Sequence, residues 1–201
     1  VIVMRLKEDY KKFALTTLII VAVIIGFAVA LRGISGTNLP IAAVQSGSME
    51  PNIPTGSLLF IQKVNPEDIV AGPAPEGDVL IFMIYPPSSQ KIYDYFFFSS
   101  YDPLPWSHRA INKAEINGTY YFLTKGDANA FPDQNPNLPT TWVSEDRVIG
   151  RVVYSVPYLG YPFLWFKNIY IVFAAIIILL ILILIPGSPD KKVTKSEEST
   201  V

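Results

Sequence analysis

The chain has 201 residues, half of them hydrophobic and only 16% charged, with a net charge of −1. So small a net charge excludes bulk electrostatic attraction to nucleic acid. The absence of cysteine and the presence of a single histidine exclude a disulfide scaffold, a thiol nucleophile, a cysteine-type zinc site and a multi-histidine metal site.

Residues 1–12 carry Arg5, Lys7, Lys11 and Lys12. Residues 13–31, FALTTLIIVAVIIGFAVAL, hold no charge. At about 1.5 Å per residue this run nearly crosses a hydrocarbon core of about 30 Å, which predicts a transmembrane helix. Ala28-Val29-Ala30 has the small-residue spacing of a cleavable signal peptide, but the length of the run favours an uncleaved anchor.

Residues 32–168 read differently. No long amphipathic helix pattern is present. Short runs rich in β-branched and aromatic residues alternate with Pro, Gly and Asn: SLLFIQKV, DVLIFMIY, SHRAINKAEI, TYYFLT and DRVIGRVVYSV. They predict a mainly β domain, a small antiparallel sheet or barrel. Before the first of them lies QSGSMEPNIPTG, a polar, Pro-broken stretch that exposes Ser46 and Ser48. KIYDYFFFSSYDPLPW is read as a loop. Its Tyr93, Tyr95, Phe96, Phe97, Phe98 and Trp106 either pack in the core or form an aromatic rim at a bilayer interface.

Asn117-Gly118 between apolar-rich arms predicts a two-residue type I′ hairpin. Its register pairs Ile116 with Thr119 and, if continued, brings His108 opposite Asp127. Asn117-Gly118-Thr119 is also a glycosylation sequon. A serine becomes a nucleophile only when a base takes its proton, so a Ser-His-Asp site here has His108 as its base. Lys113 and Lys125 stand nearby as alternative bases.

A second apolar run, residues 169–185, predicts another transmembrane helix, followed by a polar tail, residues 186–201, with Lys191, Lys192 and Lys195. The distribution of Lys and Arg places both termini in the cytoplasm and residues 32–168 outside.

SGSMEP, GDVLIF, SHRAI, TKGDANAFPD and VIGRVVYSVPYLG stand in this order between Ser46 and Gly160. Together they resemble the motif boxes of type I signal peptidases. A histidine at position 108, where bacterial members have lysine, is similar to the archaeal and endoplasmic-reticulum branch. The resemblance implies a membrane-bound endopeptidase that removes signal peptides after small residues. It implies Ser48 as nucleophile, His108 as base, Asp133 as the group orienting the histidine with Asp127 in support, and Ser46 in the oxyanion hole. It also implies secretory preproteins as substrates, membrane lipid and protein-export machinery as partners, and no cofactor. The competing expectation is a non-enzymatic, membrane-anchored β-domain subunit.

Overall fold

The computed structural model describes residues 2–86, 88, 91–94, 99–102 and 104–166. The chain divides into two compact units, residues 1–164 and 165–201. The second predicted span, residues 169–185, lies outside the described residues, as do the tail and Tyr95–Phe98.

The first apolar run forms helix α1, Ile2–Ser35, which extends past the predicted span at both ends. Its segment Leu15–Ser35 is long and apolar enough to cross a membrane. Leu18, Val23 and Phe27 are each more than three-fifths exposed, so no layer of the described residues covers them. Such an uncovered apolar surface suits lipid. Lys63 N–H donates to the Ser35 carbonyl at 2.8 Å, which ties the end of α1 to the sheet.

Nine strands follow among the described residues: β1 (Ile41–Ala43), β2 (Leu58–Gln62), β3 (Val79–Phe82), β4 (Lys91–Asp94), β5 (Ser99–Asp102), β6 (Trp106–Ile116), β7 (Thr119–Lys125), β8 (Val143–Ser144) and β9 (Val148–Val156). A short helix, α2 (Tyr161–Phe166), ends the described part. Seven strands make one antiparallel half-barrel sheet in the order β1-β2-β9-β3-β6-β7-β8. The five runs singled out by composition supply β2, β3, β6, β7 and β9.

Strand β3 is central, and all of its residues are buried. Alternation divides them between two clusters. Val79 and Ile81 pack with Leu39, Met49, Leu59 and Ile61. Leu80 and Phe82 pack with Ile69, Phe122 and Val143. Burying each large side chain contributes roughly 1.5–3 kcal/mol. Both faces of the sheet centre are therefore anchored before any polar site is built.

The stretch read as an aromatic loop contains a separate two-stranded sheet instead, with Lys91–Asp94 paired to Ser99–Asp102. Prolines flank this segment and do not interrupt it, so aromatic and β-branched residues are free to pair. The predicted hairpin turn is present, with Asn117 at φ 51° and Gly118 at φ 77°. Its register matches the expectation from Ile116–Thr119 as far as Asn112–Leu123. It then shifts by one residue between Ala110 and Asn112, a bulge at Ile111, so that Arg109 pairs with Lys125.

Candidate active site

Ser48 sits in the loop between β1 and β2. Two backbone bonds close the loop at its neck, Val44 N–H to Ser57 O and Gly56 N–H to Val44 O, both 2.9 Å. Met49, fully buried, and Ile53 plug it into the core. The Glu50 carboxylate accepts from the Thr55 hydroxyl at 3.0 Å and ties the far side of the loop. Anchored by its apolar neighbours, Ser48 is left at the surface of a cleft of about 520 Å³ lined by Ala42, Val44, Leu59, Ile81, Trp106 and Asn129, among others.

His108, 6% exposed, lies near the start of β6 and pairs across the sheet with Leu80 of β3. Its Nε2 is 3.1 Å from Ser48 Oγ. Its Nδ1 is 2.6 Å from Asp133 Oδ2. A carboxylate can only accept, so Nδ1 carries the proton and Nε2 presents a lone pair to the Ser48 hydroxyl. The Trp106 ring stands 5.3 Å from the imidazole, on the same side of β6. Ser46 is exposed, with its Oγ 3.3 Å from Ser48 Oγ.

Asp133 arrives on the loop that follows β7. Its N–H donates to the Thr124 carbonyl at 2.8 Å, and Thr124 Oγ1 donates to Asp133 Oδ2 at 2.7 Å. The start of that loop is fastened to Ser48 itself. Ala128 N–H donates to the Ser48 carbonyl at 3.0 Å. A Cβ at position 126 would lie 2.6 Å from the same oxygen, so only glycine permits this approach.

Asp127 is placed differently from the hairpin-register expectation. The bulge at Ile111 moves the register by one, and a one-residue slip moves a side chain to the other face of a strand pair. Asp127 takes a two-pronged bond from Arg109, Nε to Oδ1 at 2.8 Å and Nη2 to Oδ2 at 2.6 Å. Asn52 Nδ2, from the Ser48 loop, donates to Oδ2 at 2.9 Å. Arg109 Nη1 also donates to the Gly77 and Pro75 carbonyls. The side chains of the pair are only 5% and 3% exposed. Burial by itself raises the Asp127 carboxyl's pKa. The hydrogen bonds from Arg109 and Asn52, with the charge of Arg109, outweigh it and hold the carboxyl below its ordinary value.

The structure thus brings Ser46, Ser48, His108 and Asp133 together and sets Asp127 on the opposite face of the β6–β7 pair, against Arg109. Arg109, Thr124 and Asn52 were not singled out from the sequence. Arg109 had one available signal, since a cation next to the only histidine on a strand must point to the other face. The lysines considered as bases lie elsewhere. Lys113 Nζ donates to the Glu67 and Ile69 carbonyls at 2.8 and 2.9 Å. Lys125 borders a separate hollow with Pro73, Ile111 and Asp127.

No family model matches the chain. In sequence it is similar to catalytic subunits of the signal peptidase complex. SEC11C of Homo sapiens is 31% identical over 129 residues, covering 63% of this chain and 57% of that protein. The sec11 subunit of Schizosaccharomyces pombe is 28% identical over 143 residues, covering 64% and 68%. The sec11 subunit of Dictyostelium discoideum is 34% identical over 128 residues, covering 63% and 60%. The match therefore spans 57% of the length of the human relative. These similarities support the resemblance to type I signal peptidases of the endoplasmic-reticulum and archaeal branch.

Proposed function

We propose that this chain is a membrane-bound serine endopeptidase that removes N-terminal signal peptides from secretory preproteins after small residues. The observation that carries the proposal is the hydrogen-bond chain Ser48–His108–Asp133, buried at one end and open to a cleft at the other. The similarity to signal peptidase catalytic subunits supports the substrate class.

In this reading His108 Nε2 takes the Ser48 proton as Oγ attacks the scissile carbonyl. Asp133 stabilises the imidazolium that forms. The Ser48 N–H and the Ser46 hydroxyl receive the oxyanion, and each such donor is worth roughly 3 kcal/mol in the transition state. His108 then gives its proton to the leaving amine, and water releases the acyl group by the same route reversed. Asp127 supports from the other face by holding Arg109 and Asn52. Among the described residues strand β1 ends the sheet, so its outer edge beside the cleft offers backbone bonds to an extended peptide. Small side chains fit against Ala42 and Val44.

The apolar helix α1 and the lysine-rich flanks support a multi-pass cell-membrane protein with an extracytoplasmic domain, cytoplasmic termini and a second span at residues 169–185. The tie from Ser35 to Lys63 keeps the domain close to the end of α1, where lipid and export machinery meet an emerging precursor.

The test is cleavage of a precursor by the purified chain in detergent. The parent releases a product whose N-terminus follows a small residue. Ser48→Ala and His108→Ala leave the precursor intact while folding as the parent does. Cleavage by either variant at the parent's rate would remove the pair from the mechanism.

A further inference from the structure

Behind Asp133 lies a polar arrangement that the proposed chemistry does not itself use. Thr124, with no exposed surface, is bonded to both Gln134 and Asp133. Thr124 N–H donates to Gln134 Oε1 at 3.0 Å, Gln134 Nε2 lies 3.0 Å from Thr124 Oγ1, and Thr124 Oγ1 lies 2.7 Å from Asp133 Oδ2.

The proton directions follow without choice. A backbone N–H can only donate, so the atom of Gln134 that faces it is the carbonyl oxygen. That fixes the amide, and the other atom is an NH2 that can only donate. The Thr124 hydroxyl receives this donation, so its single proton points elsewhere. The contact from Thr124 Oγ1 back to Gln134 Oε1 is longer, 3.3 Å against 2.7 Å to Asp133, and ends on a neutral oxygen. The hydroxyl therefore donates to the carboxylate, where the bond is charge-assisted. The same oxygen, Oδ2, accepts from His108 Nδ1.

We infer that Thr124 and Gln134 form a directional relay that positions Asp133, and through it the ring and tautomer of His108. The relay runs from a strand backbone amide to the imidazole through three side chains. Each link has one direction, and two donors converge on one oxygen of Asp133, which holds the plane of the carboxylate toward Nδ1. Because Thr124 is part of β7, the relay refers the orientation of His108 to the rigid sheet. The loop that carries Asp133 is thereby held to that reference. Thr124 and Gln134 are positioning residues, since neither touches the reacting hydroxyl. The inference rests on the proposed peptidase reading.

The variants distinguish direction from packing. Thr124→Val keeps the shape and removes the donor. Thr124→Ser keeps the donor and removes a methyl group. Gln134→Glu keeps the acceptor for the Thr124 amide but replaces the NH2 by an oxygen, which turns the Thr124 hydroxyl away from Asp133.

Turnover of a precursor ending in Ala-X-Ala is measured on the folded chain in detergent. Thr124→Val and Gln134→Glu should each lower kcat by about 10- to 100-fold, the worth of one hydrogen bond to a charged group, with KM nearly unchanged. Thr124→Ser should keep kcat within a few-fold of the parent. A purely structural role predicts the opposite pattern, with Thr124→Ser and Thr124→Val both following thermal stability and Gln134→Glu leaving kcat unchanged. That pattern, or full kcat in Thr124→Val, overturns the relay while leaving the peptidase reading intact if Ser48→Ala is inactive. A parent that cleaves no precursor overturns both. If Thr124→Val does not fold, the comparison of Gln134→Glu with the parent decides alone.

Discussion

On one face of the β6–β7 pair, His108 meets Asp133 and ends on a hydroxyl that opens to a cleft. On the other face Arg109, the next residue, meets Asp127 in a closed pair whose partners are all satisfied. The carboxylates come from one loop, six positions apart in number, yet their surroundings assign them different work. The Arg109 pair joins four segments: β6, the loop after β7, the Ser48 loop through Asn52, and the segment before β3 through the Pro75 and Gly77 carbonyls. It fixes distances. The His108 pair leaves one lone pair unspent, at Nε2, and an unspent acceptor beside a hydroxyl is what general-base chemistry needs. The alternation of a β-strand is sufficient to separate a closed ion pair from a pair that opens to a cleft across a single peptide bond.

The contrast can be broken from the Arg109 side first. Asp127→Asn leaves a guanidinium buried without its counter-charge, which costs about 3 kcal/mol in comparable buried pairs. The loss is read from denaturation of the detergent-solubilised chain, and a variant as stable as the parent would contradict the clamp. The effect should depend on pH. The Asp127 carboxyl is held below its unfolded value of about 3.9, so its contribution is complete above that pH and is lost as pH falls through the lower folded value. The stability gap between parent and Asp127→Asn should therefore be widest near neutral pH and narrow in acid. A gap that widens in acid would reverse the sign.

A smaller effect sharpens the comparison. Gly126→Ala places a methyl 2.6 Å from the Ser48 carbonyl and pushes the loop off Ser48. It should cost about 1 kcal/mol of stability, at the low end of overpacking, and proportionally more of the turnover. Stability falling with turnover unchanged would show that the loop does not set the position of Ser48.

The sheet was legible because its strands are short, β-branched and bounded by turn residues. The hairpin was legible because Asn-Gly fixes both turn type and starting register. The bulge was not legible. Ile111 is an ordinary strand residue, and nothing in its neighbourhood marks it as the extra one. That one position sent the register argument to Asp127. The β4–β5 pair was hidden for a different reason, since an aromatic stretch among prolines reads equally as loop or strand. His108 was legible as the one histidine, while Ser48 and Asp133 were named through the order of the motif boxes, and no local pattern could have joined residues so far apart in sequence. Thr124 was quoted within a strand run but drew no attention, because a buried threonine in a strand is ordinary until its hydroxyl is seen to have only one free direction.

The most direct test of the division of labour is the turnover of Asp133→Asn against Asp127→Asn, measured on equal amounts of folded protein with a signal-peptide precursor. Asp133→Asn should lower kcat by about 10⁴-fold, as expected when a base loses its orienting carboxylate, and Asp127→Asn should stay within roughly 10-fold of the parent. If Asp127→Asn is instead the slower enzyme, the carboxylate on the Arg109 face serves the chemistry and the account is wrong.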